Sequence, residues 1–198
     1  MSNLLKQLLI SLLLTAVLAV VLCGAYPVAV WAAAQALFPA KANGSLVVDA
    51  TGNVRGSTLL AQNFSSDKYF QPRPSAAGTG YDATSSGGTN LGPTSQKLSD
   101  SIKAATKAYR DGNSLPADAL VPADAVTSSA SGLDPHISPE NAALQAARVA
   151  KARGVPLARV QELIASSTEG RDLGFLGEAG VNVLRLNIAL DSAGRSAP

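Results

Sequence analysis

Leu8 to Ala34 is an almost unbroken apolar run, and no Asp, Glu, Lys, Arg or His interrupts the chain from Gln7 to Ala40. A helix of about 20 apolar residues crosses the roughly 30 Å hydrocarbon core of a bilayer. This run gives roughly 40 Å of helix at about 1.5 Å per residue, enough to cross with some tilt. The pattern predicts a membrane-anchor helix within residues 1–40, spanning about 8–34. Beyond it the pattern becomes mixed. Ser45 to Val48 and Thr58 to Gln62 predict short strands, with the turn residues Asp49-Ala50-Thr51-Gly52-Asn53 between them. Near the C-terminus Leu184, Leu186, Ile188 and Leu190 alternate with Arg185, Asn187 and Ala189, a period of two that predicts a further strand.

Three helices are predicted. Over about Ser95 to Arg110, Leu98, Ile102, Ala105 and Tyr109 recur on one face. The second has Ser138 as N-cap, Pro139 as first residue, Lys151 and Arg153 in its last turn and Gly154 as its stop. The third begins at Pro156 and places Leu157, Val160, Leu163 and Ile164 on one side. Two long aperiodic segments, Phe70 to Pro93 and Leu115 to His136, separate these elements. Such loops are usually functional or mobile, the alternative being coil packed on the sheet. The expected architecture is α+β: one N-terminal transmembrane helix, then one extracytoplasmic mixed α/β domain over residues 41–198.

Within the span, Pro27 beside Gly24 predicts a kink, because proline removes a backbone donor. Tyr26 and Trp31 suit the headgroup layer. Ala32-Ala33-Ala34 offers a cleavage pattern, but a signal peptide's apolar core is about 7–15 residues, shorter than this run. The expectation is a retained anchor. Lys6 and the amino terminus on the near side favour a cytoplasmic N-terminus, which puts the rest of the chain outside. Cys23 lies in the apolar run, so no intrachain disulfide forms.

Of the 16 Lys and Arg, only Lys6 precedes the span, leaving 15 against 14 Asp and Glu beyond it. That near balance argues against nucleic acid as a partner and against an acidic disordered tail. His136 is the one histidine, set in Gly132-Leu133-Asp134-Pro135-His136-Ile137-Ser138-Pro139. Asp134, His136 and Ser138 invite a hydrolase triad, the alternative reading of function; helix capping by Ser138, a turn at Asp134-Pro135 and a His136 bonded to nearby backbone are the structural reading. One histidine and no cysteine beyond the span make a zinc site improbable, and no phosphate-binding G-x-x-x-x-G-K-[ST] pattern occurs. Ser85 to Asn90, with Gly87 and Gly88, form a flexible turn that either presents backbone donors to an anion or is a plain bend. Tyr69, Phe70 and Arg73 are candidates for an exposed contact surface; otherwise Phe70 is buried and Arg73 solvated.

Several strings in order carry a resemblance. They are Tyr69-Phe70-Gln71-Pro72-Arg73-Pro74-Ser75-Ala76, Ser86-Gly87-Gly88-Thr89-Asn90-Leu91-Gly92-Pro93, Ser131 to Pro139, Gln145-Ala146-Ala147-Arg148-Val149-Ala150-Lys151-Ala152-Arg153, and Val181-Asn182-Val183-Leu184 with Leu186-Asn187. Behind one N-terminal membrane helix, this set resembles the C subunit of the bacterial Kdp potassium-transporting P-type ATPase. The resemblance implies an accessory subunit of a high-affinity, ATP-driven potassium uptake complex in the cytoplasmic (inner) membrane, without catalysis of its own. It implies as partners a channel-like potassium-binding A subunit, a P-type B subunit that hydrolyses ATP, a small F peptide and the lipid bilayer. It implies no directly bound cofactor, with ATP held by the B subunit. A role as catalytic chaperone, raising the B subunit's ATP affinity, would centre on Gln145; the predicted topology keeps Gln145 away from cytoplasmic ATP, and the alternative is that it bonds a neighbouring loop. Tyr69, Phe70, Arg73, Gly87, Gly88, Asn90, Asp134 and His136 are the candidate subunit contacts.

Overall fold

The computed structural model describes residues 3–49 and 51–195, which fall into two compact units, Met1–Leu46 and Val47–Pro198. The first is built on one continuous helix, Asn3–Leu37. It comprises α1 (Asn3–Ala19), a π turn (Val20–Ala25) and α2 (Tyr26–Leu37), and none of these residues is buried. A kink is expected at Pro27; what the helix carries there is that π turn, just ahead of the proline. The Tyr26 N–H donates to the Val21 carbonyl, five residues back. A widened turn of this kind accommodates a residue that lacks an N–H and whose ring crowds the preceding turn. Ser11 and Thr15 return their hydroxyls to the carbonyls of Leu8 and Ser11, so neither polar group faces hydrocarbon unsatisfied. A short helix, α3 (Pro39–Ala42), follows.

Next along the chain is β1 (Leu46–Val48), paired to β2 (Val54–Ser57). The turn between them is tied by Asp49, whose Oδ1 accepts from the N–H groups of Thr51 and Asn53; Ala50 lies outside the described residues. The second strand precedes the segment predicted for it. Thr58 to Gln62 is turn and coil, fixed by the Ala61 N–H on the Leu133 carbonyl. Then come α4 (Gln96–Gly112), α5 (Ala123–Val126), β3 (His136–Ile137), α6 (Pro139–Arg153), α7 (Leu157–Ser167), β4 (Thr168–Glu169), β5 (Gly180–Asn182) and α8 (Val183–Arg195). An antiparallel sheet has the order β3-β5-β4, pairing His136 with Asn182 and Glu169 with Gly180.

The predicted helices form as their end signals require. The Ser95 and Ser138 hydroxyls accept from Leu98 and Asn141 N–H groups, and α6 ends on Gly154 at φ +68°. The C-terminal strand does not form: residues 183–195 are α8. The buried positions Val183, Leu186, Asn187 and Leu190 recur at intervals of three and four, and Asn182 Oδ1 accepts from the Arg185 N–H as a cap does. Packing of α6, α7 and α8 against β5 outweighs the alternation of leucines. Phe70, Ile137, Ala146, Val149, Val160, Val181, Leu186 and Leu190 meet in the core. Full burial of each large apolar side chain contributes about 1.5–3 kcal/mol before entropic costs.

Candidate functional site

A polar stripe runs along the buried side of α6. Asn141, Gln145 and Arg148 lie at helical spacing among Ala142, Ala146 and Val149, and Asn141 and Gln145 are each about 1% exposed. The Gln145 amide uses its full capacity. Nε2 donates to the Gln71 carbonyl (3.1 Å) and Asn141 Oδ1 (2.9 Å), and Oε1 accepts from the Gln71 N–H and Arg148 Nη2 (both 2.8 Å). A cleft of about 410 Å³ opens beside it, but no polar atom of Gln145 is free to take a ligand there.

The stripe holds a segment with no secondary structure of its own. Arg148 Nη1 donates to the carbonyls of Asp67 and Tyr69, and Arg153 Nε to that of Lys68. Asn187 clamps Phe70 from the other side: Oδ1 accepts its N–H (2.8 Å) and Nδ2 donates to its carbonyl (3.0 Å). From Asp67 to Gln71 each residue therefore has a backbone group bound by a side chain of α6 or α8. At the start of α6, Asp124 accepts from the Ser138 N–H, the Ser138 hydroxyl and Asn141 Nδ2, joining α5 to α6. Tyr109 donates its hydroxyl to Asn141 Oδ1, and burial raises its pKa. Burial lowers the pKa of Arg148, opposed by Asp67 and Tyr109.

This geometry sorts the sequence candidates. Phe70 is 0% exposed and sits in the core, so it is not part of a contact surface; its apolar bulk fills the space under its clamped backbone. Tyr69 is half-buried, stacked under the Arg153 guanidinium and bonded to Asp191. Arg73 is not a solvated cation: Nη1 pairs with Asp134 at 3.0 Å, while Nε is buried without a partner. Gly87 gives its N–H to the Ser131 carbonyl, and Gly88 packs so closely that a Cβ would stand 2.9 Å from the Ala130 carbonyl oxygen. The Gly87 N–H is thus not available to an anion. Asn90 is exposed.

His136 bonds no backbone through its ring, contrary to expectation. It stands between two carboxylates, Nδ1 3.7 Å from Asp134 and Nε2 3.5 Å from Glu169. It reaches Glu169 on β4 across the central strand at Gly180, where a Cβ would come within 3.3 Å of the His136 Cβ. Arg73 behind Asp134 and Arg185 behind Glu169 complete a row of alternating charge. The Asp134 carboxylate beside the ring, helped by Glu169 and opposed by burial, raises the His136 pKa; the ring in turn lowers that of Asp134. The hydrolase triad is not assembled. Ser138 Oγ donates to Asp124 and caps α6, and no His136 nitrogen bonds it. Among the described residues no group of three or more His, Cys, Asp or Glu is arranged to hold a metal.

Asn141, Asp124, Glu169 and Asn187 were not among the site candidates drawn from the sequence. A signal existed for two of them: Asn141 and Asn187 are amides at core-facing helical positions, where only a bonded polar group is tolerated.

The chain matches the family model described as K+-transporting ATPase, c chain, over residues 8–192. It is 56% identical over 183 residues to the potassium-transporting ATPase KdpC subunit of Nitratidesulfovibrio vulgaris, covering 92% of each chain. The corresponding subunit of Mycobacterium tuberculosis is 53% identical over 94% of this chain and 98% of its own. That of Myxococcus xanthus is 56% identical over 89% and 84%.

Proposed function

The chain belongs to the family of K+-transporting ATPase c chains, and from that premise we propose that it is a non-catalytic subunit whose work is assembly and coupling. Membership makes it part of a potassium-transporting ATPase complex located in a membrane. The observation that carries this reading is the 35-residue apolar helix, along which no residue is buried. Such a surface is satisfied by lipid and by other transmembrane helices. Ala16, Ala19, Gly24 and Ala25 are small enough to let a neighbouring helix approach. The N-terminus lies in the cytoplasm and the α+β domain outside, in the cytoplasmic membrane, next to a channel-like A subunit, a P-type B subunit and a small F peptide. ATP binds to the B subunit. Any effect on ATP affinity is indirect, passing through the membrane helix, because all four bonding positions of Gln145 are occupied within the fold.

The test is deletion of residues 1–36, with the domain exported by a cleavable signal. Potassium-dependent ATPase activity of the other subunits is expected to fall to the level seen without this chain. Full activity supported by the free domain would remove the docking role.

A further inference from the structure

An open groove of about 1120 Å³ runs past His136, with the loop Leu120–Asp124 on one side and the segment Glu169–Gly180 on the other. Leu120, which lines it, is 90% exposed. Leu173 (82% exposed) and Phe175 (69%) stand in the turn between the lining residues Asp172 and Glu178. The turn that displays the last two is closed by the Asp172–Leu176 bridge and holds Leu173 at φ +53°, a conformation unfavourable for a residue with a Cβ. Neither that backbone nor the exposed phenyl ring benefits the isolated domain.

The charges say what covers them. Six carboxylates line the groove: Asp124, Asp134, Glu140, Glu169, Asp172 and Glu178. Arg73, Arg185 and Arg171 pair with Asp134, Glu169 and Glu178. Asp124, Glu140 and Asp172 have no cation partner among the described residues. An anionic lipid surface is repelled by the carboxylates at the root of the turn, and a second copy of the chain would oppose groove to groove with like charge. A segment combining Lys or Arg with apolar side chains satisfies both features.

Resting on the reading of the chain as an accessory subunit, we propose that this groove, with Leu120 on its wall and Leu173 and Phe175 in the adjoining turn, docks a basic and apolar extracytoplasmic segment of another subunit of the complex. The cations enter among the carboxylates, and the apolar side chains cover Leu120 and the exposed turn.

The experiment places a photoreactive benzoylphenylalanine at position 175, at 120 and, as a control, at the exposed Lys107 on α4, in the full chain expressed with its own complex. Positions 175 and 120, but not 107, are expected to give adducts to one other subunit, on a segment with Lys or Arg within a few residues. Adducts only to lipid, only to a second copy of this chain, or none at all would overturn the proposal. As a second arm, Phe175→Ser with Asp172→Lys is expected to lower recovery of the other subunits in mild detergent about ten-fold. These positions are on the surface, and an unchanged circular dichroism spectrum and melting temperature verify that the variant folds. If recovery is unchanged while deletion of residues 1–36 dissolves the complex, the groove is wrong and the accessory role stands. If the unaltered chain recovers no other subunit, both fall.

Discussion

Gln145 has a capacity of two donors and two acceptors, and each is taken up inside the fold. Its removal leaves the Gln71 N–H, the Gln71 carbonyl and Arg148 Nη2 short of partners. A buried polar group left unpaired costs about 1–3 kcal/mol, and such costs are not additive. Gln145→Ala is therefore expected to destabilise the domain by about 2–4 kcal/mol, read as a fall in the urea midpoint. Loss of pump activity with an unchanged midpoint would instead point to direct contact with a ligand. His136 supplies a pH dependence. Its pKa is raised by Asp134 and Glu169, so its contribution to stability is complete below about 6.5, the unfolded value, and is lost as pH rises through the raised folded value. Asp134, whose pKa is lowered, acts in the opposite sense: its contribution holds above about 3.9 and disappears as pH falls through the depressed value. The melting temperature is expected to decline from pH 6 towards pH 9. In His136→Gln that alkaline decline should flatten; an identical slope in both proteins would show that the row of charges does not include a protonated ring.

At the scale of elements, what the sequence disclosed depended on whether local signals agreed. Ser95, Ser138, Pro139 and Gly154 each favour a helix boundary by their own chemistry: α4 begins after Ser95, and α6 begins after Ser138 and ends at Gly154. Residues 184–190 offered two incompatible periods. Leu184, Leu186, Ile188 and Leu190 alternate, but Val183, Leu186, Asn187 and Leu190 form the helical set, and choosing it required admitting an asparagine to the core. The Asn187 clamp on Phe70 explains why an amide belongs there, and that clamp joins positions 117 apart in the chain. The same long-range dependence hid the Asp67–Gln71 segment, whose bonds come from α6 and α8 and not from its neighbours. The two periods make different predictions. A strand would treat Leu186 and Ile188 alike, whereas in α8 Leu186 is fully buried and Ile188 only partly. Leu186→Ala is expected to cost about 2–5 kcal/mol and Ile188→Ala clearly less, by thermal or urea denaturation. Equal costs would contradict the helix.

At the scale of the molecule, the two units differ in what makes them stable. The first has no buried residue along its apolar helix and is stable only with lipid or another helix around it. The second has its own core, drawn from Phe70 onwards, and its polar stripe closes on residues between Asp67 and Asn187. Among the described residues, the core draws none of its members from the anchor. The domain is therefore expected to fold without the helix. Residues 47–198, exported without the anchor, are expected to be soluble, to unfold in one cooperative urea transition, and to keep amides of α6 and β5 protected from hydrogen exchange. Attaching the helix and reconstituting the chain in bilayers should leave the protection of those amides unchanged. If the free domain instead lacks a cooperative transition and gains one only in the membrane, anchor and domain are one folding unit, and separating them in an assembly assay would test folding and not docking.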